Sequence, residues 1–283
     1  MTPDQRRRLE HAAGARIAKT GALTGGCIGE VVRVDLEGGA RLVAKTAGAD
    51  GTLEVEGYML AYLGEHSDLP VPSVLLAAPD LLVMDYIEAD GRIDPAAERH
   101  AAELLAALHG IAGQAFGHER DTLIGPLPQP NPWTASWREF LRDQRFLYMG
   151  RLAHDSGRLS GDTFGRLEDF CSTLDRYIPE TATASLIHGD MWGGNVLAGK
   201  GRIAGFVDPA IYHADPEIEL AFSTLFSTFG DAFFQRYNEF RPIAPGFFEE
   251  RRHIYNLYPL LVHTRLFGGH YGGSVDRTLR RFA

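Results

Sequence analysis

The sequence predicts an α+β chain of two lobes, a small β-rich lobe over residues 1–88 followed by a larger, mainly helical lobe over 89–283. Three observations predict it. The length of 283 residues exceeds one average domain but falls short of two large ones. Strand-like runs crowd the first third of the chain, and helical periodicity takes over after Ala89-Asp90-Gly91. A content of 45% hydrophobic and 23% charged residues is enough to bury a core without disulfide or metal staples.

Taken in order, Thr2-Pro3 reads as a cap with proline in the first turn, opening a helix to about Ala13. The segments Ile17–Thr24, Val31–Leu36 and Arg41–Thr46 read as three antiparallel strands, separated by Gly25-Gly26 and Gly38-Gly39. Thr52–His66 spaces Leu53, Tyr58, Leu60, Ala61 and Leu63 as a single helix packed on that sheet, ended by Pro70 and Pro72. Two short strands, Ser73–Ala77 and Leu81–Asp85, turn at Pro79-Asp80 and close the first lobe. Asp94-Pro95 then opens a helix through His109, with Leu104, Leu105 and Leu108 marking its buried stripe. A Gly- and Pro-rich loop is expected over 110–132, then helices over Trp133–Ala153 and Asp162–Ile178. The stretch Ser185–Asp208 holds two apolar runs, Leu186-Ile187 and Ile203–Val207, and helices resume from Asp215.

A formal net charge of -9 argues against a nucleic-acid or anionic-membrane partner, since either calls for a basic face. Cys27 and Cys171 are too few and too far apart for a disulfide framework or zinc site, and the segment from Met1 to Ile17 lacks the apolar core of a signal peptide, so a cytoplasmic, monomeric or weakly dimeric protein is expected. Eleven histidines occur without a metal-binding spacing, and His109 and His263 read as packed or surface helix residues.

The strongest chemical signal is His188-Gly189-Asp190 with Asn195 five residues beyond Asp190, inside LIHGDMWGGNVL. This is the Asp-x-x-x-x-Asn spacing of kinase catalytic loops, in which the Asp receives the acceptor proton and the Asn helps hold magnesium. Asp208 ends the run Ile203–Val207 before Pro209, where a second carboxylate can ligate the same hard cation. His188 reads as support for the loop backbone. Lysine occurs only at Lys19, Lys45 and Lys200, which singles out Lys45 at the end of Leu-Val-Ala-Lys as a group for the ATP phosphates. Its carboxylate partner on the next helix is Glu56 or Glu54. Gly25, Gly26, Cys27 and Ile28 lie in a Gly-rich turn whose amides can approach phosphate. Met84, Asp85, Tyr86 and Ile87 sit where the apolar strand turns polar, the position for an adenine slot with backbone groups of about Asp85 and Tyr86 on the base edge. Trp192 and Tyr212 carry flat faces near the carboxylates, suited either to a sugar ring or to the core.

These residues resemble the fructosamine kinase (ketosamine-3-kinase) family, a branch of the aminoglycoside-phosphotransferase and choline-kinase-like group with a protein-kinase-like fold. The resemblance rests on GGCIGE, LVAK, LEVEGYMLAYL, FGHERDTLIGPLPQPN at 116–131, HGDMWGGNVL, VDPAIYHADPEIELAF at 207–222 and LYPLLVHTRLFGGHY at 257–271. It implies ATP- and Mg2+-dependent phosphorylation of the 3-hydroxyl of a ketosamine, free or protein-bound. Asp190 is then the base, Lys45 and Glu56 the phosphate-positioning pair, and Asn195 and Asp208 the metal ligands. Trp192, Tyr212 and Glu217 join Asp190 on the acceptor side. The chain departs from the family at Gly193, where Ser is usual, Pro216, where Arg is usual, and Glu219, where Asp is usual. The last change leaves the support that residue gives the catalytic loop in question. Cys27 is expected as a redox-sensitive position. The rival readings are another small-molecule kinase of the aminoglycoside or choline type, and a non-catalytic nucleotide-binding module.

Overall fold

Residues 1–23, 30–180 and 182–282 are described by the computed structural model. Helix α1 (Pro3–Ala13) starts where the sequence places it: the Thr2 hydroxyl accepts from the Gln5 amide and the Gln5 side chain accepts from the Thr2 amide. Gly14 ends it at φ 64°. Strands β1 (Ile17–Ala22), β2 (Glu30–Leu36) and β3 (Arg41–Thr46) run antiparallel, and after helix α2 (Leu53–His66) strands β4 (Val74–Ala78) and β5 (Leu81–Asp85) complete a five-stranded sheet in the order β1-β2-β3-β5-β4. The predicted end of the first strand at Thr24, and the loop residues Gly25, Gly26, Cys27 and Ile28, lie outside the described residues.

Strand alternation sorts this lobe into two cores. Leu42, Ala44, Leu81 and Val83 pack against Leu9 of α1, whereas Val43, Leu82 and Met84 pack against Leu53 and Leu60 of α2. Lys45 lies two residues beyond Val43 and therefore points to the α2 side. Glu56 lies three residues after Leu53 and four before Leu60, on the helix stripe that faces it. The crossing of the two periodicities thus sets a lysine opposite a glutamate. The other face of α2 contributes Met59 and Leu63 to the large core of the second lobe.

The second lobe opens with α3 (Pro95–Leu108), capped by Asp94, whose carboxylate accepts from the amides of Ala96 and Ala97. The expected loop over 110–132 contains a hairpin, β6 (Thr122–Ile124) and β7 (Leu127–Gln129), whose three-residue strands, one interrupted by Pro128, are too short to show a period. The predicted helix 133–153 is α4 (Trp137–Phe140), a π-helical stretch Leu141–Leu147 and α5 (Tyr148–Asp155). It is followed by α6 (Gly161–Cys171) and a 3-10 turn at Leu174–Arg176. Next come β8 (Ser185–Ile187), the antiparallel hairpin of β9 (Val196–Gly199) and β10 (Arg202–Phe206), and β11 (Tyr212–Ala214), which returns to pair with β8. Helices α7 (Glu217–Leu225), α8 (Asp231–Phe240), α9 (Arg252–Tyr255), α10 (Leu257–Phe267) and α11 (His270–Arg281) finish the chain. No described helix is long and apolar enough to cross a membrane.

Gly57, next to Glu56, packs α2 directly on β4 and β5. A Cβ there would sit 2.5 Å from the Ala77 Cβ and 3.1 Å from a Leu82 methyl. Gly57→Ala is expected to push the helix off the sheet and lower stability by about 1–3 kcal/mol, read as a lower urea midpoint; an unchanged midpoint contradicts this packing.

Candidate active site

Two short ladders assemble the site. Asp190 follows β8, Asn195 precedes β9, and Asp208 lies between β10 and β11, so the β9/β10 and β8/β11 pairings bring the three loops together. The Val207 amide donates to the Asn195 carbonyl at 3.1 Å and the Ala210 amide to the His188 carbonyl at 2.7 Å. Gly189, at φ 86°, lies so close to this junction that a Cβ would meet the Ala210 carbonyl oxygen at 2.0 Å. Asp208 itself is a non-glycine residue at φ 54°, a costly backbone held only by its surroundings.

Lys45 is 6% exposed, and its ammonium donates to Glu56 at 2.7 Å and to Asp208 at a still shorter distance. Burial opposes that charge, but the two carboxylates outweigh it and hold the lysine protonated. Of the two glutamates open to the sequence reading, Glu56 makes the contact. The Asn195 side-chain amide donates to the Asp190 carbonyl at 2.9 Å and to its carboxylate at 2.8 Å, leaving the Asn195 Oδ1 without a hydrogen bond among the described residues. Burial raises the Asp190 carboxyl to about 7; the charges of Asp208 and Glu219 add to the shift, and the Asn195 hydrogen bond opposes it. The His188 Nδ1 accepts from the Asp190 amide at 3.4 Å, so this ring supports the loop.

Glu219 anchors the loop from below. Its carboxylate, 2% exposed as a residue, accepts from the Gly189 amide at 2.6 Å, the His188 amide at 3.3 Å and His109 Nε2 at 2.8 Å, while Tyr237 hydrogen-bonds the other His109 nitrogen at 2.7 Å. Burial works against its charge, yet these donors keep the Glu219 carboxyl below the usual range. His109 is therefore a buried hydrogen-bonding residue and not merely a packed one.

The segment 116–131 braces three of these pieces. Tyr58 of α2 donates to Glu119 at 2.7 Å and hydrogen-bonds His118 at 2.8 Å, with the Arg120 guanidinium 4.4 Å over its ring. Gln129 donates to the Ala210 carbonyl at 3.0 Å, and Thr122 donates to that of Ile211 at 3.2 Å. Arg145, fully buried, ties the segment down through the Pro130 carbonyl at 2.9 Å and Asn131 Oδ1 at 2.6 Å, its guanidinium 3.9 Å over Tyr212. Sequence reasoning missed Arg145, Gln129 and Thr122. No signal singled out Arg145, which follows Arg138, Glu139, Arg142 and Asp143 in the same helical stretch.

A cavity of about 470 Å3 opens beside Asp190, with Trp192, Gly193 and Gly194 on one wall and Tyr258 on another. Trp192 is 38% exposed and folds over Gly194, where a Cβ would sit 2.2 Å from the indole ring. Two predicted acceptor residues are not here. Tyr212 is 1% exposed and packs on Arg145 and Phe140 in the core. Glu217 forms a two-pronged ion pair with Arg251 at 2.5 and 2.7 Å, outside the cavity wall. At the interlobe strand end, Met84 is buried against α2, and the amides of Asp85 and Tyr86 already donate to the Ser73 and Arg41 carbonyls at 3.0 and 3.3 Å. The Ile87 N–H meets no acceptor among the described residues, so the free donor of this stretch is Ile87 and not Asp85 or Tyr86.

The family model for fructosamine kinase matches residues 1–283, the whole chain. This chain belongs to the fructosamine kinase family. Among its relatives, a Synechocystis protein assigned as a ketoamine kinase is 32% identical over 272 residues, covering 94% of this chain and 90% of its own. The protein-ribulosamine 3-kinase of Arabidopsis thaliana is 30% identical over 281 residues, covering 94% and 83%. A crystal structure assigned to the fructosamine-3-kinases, from Thermobifida fusca, superposes with a TM-score of 0.88 at 31% identity over 98% of this chain and 97% of that one. An aminoglycoside phosphotransferase in complex with ADP and hygromycin B, 20% identical with a TM-score of 0.65 over 97% of each chain, shares the protein-kinase-like fold.

Within the fructosamine kinase frame, the residues at which this sequence departs have plain geometry. A Cβ at Gly193 would meet nothing within 4 Å, so the serine expected there is not excluded by space. Beside Pro216, the guanidinium in contact with Glu217 comes from Arg251. The longer Glu219 reaches the loop amides. Glu219→Ala is expected to cost about 3–5 kcal/mol by leaving buried donors unpaired, measured by urea unfolding, with turnover falling in the surviving folded fraction; a loss below about 1 kcal/mol contradicts the anchoring role.

Proposed function

We propose that this protein transfers the γ-phosphoryl group of ATP to the 3-hydroxyl of a ketosamine, the Amadori adduct of a sugar and an amine, and thereby starts its removal. The observation that carries this reading is Asp190 in the wall of a cavity of about 470 Å3, tied to Asn195 in a chain that matches fructosamine kinase throughout. Asp190 takes the proton of the acceptor hydroxyl as its oxygen bonds to the γ-phosphorus and ADP leaves. Its raised pKa suits a base working near neutrality. Lys45, oriented by Glu56, lies on the nucleotide side, and the unpaired Ile87 N–H is the donor for the adenine edge. Asn195 Oδ1 and the Asp208 carboxylate offer two hard oxygens, and among the described residues no three His, Cys, Asp or Glu side chains cluster as a metal cage. That donor set fits magnesium, which takes few protein ligands and, when bound, draws charge from the phosphate oxygens.

The product explains the use of the reaction. Once its 1,2-enaminol forms, the 3-phosphorylated adduct expels phosphate from C3, and water then cleaves the C1 imine to release the amine. The ribulosamine named for the Arabidopsis relative makes pentose adducts, including protein-bound ones, the first acceptors to try.

Incubation with ATP, magnesium and ribulosyl-lysine, fructosyl-lysine or kanamycin is expected to yield a 3-phosphate on a ketosamine, followed by phosphorus NMR; turnover of the antibiotic alone overturns the reading. Asp190→Asn is expected to lower turnover by roughly two to four orders of magnitude while ATP still binds. The pH profile has a definite sign: Asp190 acts unprotonated, so kcat/KM rises with pH through about 7 and levels off above it. A profile flat from pH 5.5 to 8 (roughly the window of this titration) contradicts the assignment.

A further inference from the structure

Beyond Asp190 and Trp192, the cavity wall is a connected set of rings. Trp192 meets Phe226 edge-on with centroids 6.3 Å apart, Phe226 lies 5.1 Å from His263, and His263 lies 5.5 Å from Phe267 and 5.0 Å from Tyr271. Trp192, Phe226 and Phe267 are large apolar side chains left open to solvent, and all three border this one cavity. His263 does not make the wall charged. Its Nδ1 donates to the Pro259 carbonyl at 2.6 Å, and burial lowers its pKa, so the ring stays neutral, and its Nε2 is an acceptor with no donor among the described residues. Among the described lining residues there is no lysine or arginine, and Asp190 is the one carboxylate.

We propose that this aromatic wall is the subsite for the amine-derived arm of the ketosamine, and that it selects arms that are uncharged and apolar or aromatic over arms that end in a carboxylate. The inference rests on the ketosamine reading above and extends it to the identity of the amine. With O3 of the sugar at Asp190, the secondary ammonium and the arm beyond it extend along the cavity. The ammonium is welcome there, since ring faces and the Asp190 charge attract a cation and His263 Nε2 accepts its N–H. The arm displaces water from Phe226, Phe267 and Tyr271, a gain that grows with its apolar area. A carboxylate on the arm meets ring faces that carry negative potential, the charge of Asp190, and no cation to replace its water. One consequence is a preference for lysine adducts within a peptide over the adduct of the free amino acid, whose α-carboxylate stays ionised.

Three ribulose adducts of comparable size test this, those of benzylamine, n-butylamine and 4-aminobutyrate, assayed with the full-length protein, ATP and magnesium. The benzylamine and butylamine adducts are expected to exceed the 4-aminobutyrate adduct in kcat/KM by about tenfold or more. In Phe226→Ala and Phe267→Ala the advantage of benzylamine over 4-aminobutyrate is expected to shrink to within about threefold, mainly through KM. Phe267 is 55% exposed, so its truncation does not empty the core. Equal kcat/KM for the three adducts, a preference for 4-aminobutyrate, or an undiminished preference in both variants overturns the inference and leaves the ketosamine reading standing. Failure to turn over any of the three, or any other ketosamine, overturns both.

Discussion

One buried ammonium, that of Lys45, holds carboxylates from both halves of the molecule, Glu56 on α2 and Asp208 after β10. With Asp190 close enough for Asp208 to raise its pKa, the cleft carries more negative than positive charge. That imbalance governs the rest of the site. It adds to the burial that raises the Asp190 carboxyl, and it suits a nucleotide that arrives with a divalent cation better than one that arrives bare. Buried carboxylates without enough cations are costly, so such an arrangement persists only in a scaffold that holds them rigidly.

The scaffold does so with groups that take no part in the chemistry. Glu219 fixes the backbone of His188 and Gly189. The segment 116–131 reaches Tyr58 on the helix of Glu56 at one end and the carbonyls just after Asp208 at the other. Hydrogen bonds of this one segment therefore touch both sides of the cleft. Arg145 under this segment replaces a carboxylate partner with carbonyl oxygens and aromatic faces, which fixes its position without adding to the charge imbalance.

Much of the candidate site was legible in the sequence because phosphoryl-transfer chemistry calls for particular residue types and spacings. Lys45 stood out in an arginine-rich chain, and Asp190, Asn195 and Asp208 sit at loop positions that short strands bring together. The predicted order of sheet, helix and helical lobe follows from periods that persist over five residues or more. What failed were inferences from nearness along the chain. Tyr212 lies four residues beyond Asp208, but the intervening turn and the pairing of β11 with β8 carry its ring into the core. Glu217 is two residues from Glu219 on α7, and that spacing points it away, toward Arg251. The hairpin at 122–129 and strand β11 are each built from three-residue strands, below the length at which alternation can be read. His109 and Glu219 form a pair 110 residues apart that no local pattern announces.

The proposed phosphoryl transfer requires Lys45, Asn195 and Asp208 to gather around one metal-bound nucleotide. The most direct measurement is a crystal structure of the protein with a non-hydrolysable ATP analogue and manganese, with the metal located by its anomalous signal. The expected result is a manganese peak ligated by Asn195 and Asp208, with the Lys45 ammonium transferred from Asp208 to a phosphate oxygen and Glu56 still beside it. Manganese bound away from both residues, with Lys45 still bridging Glu56 and Asp208, would contradict the proposed metal site.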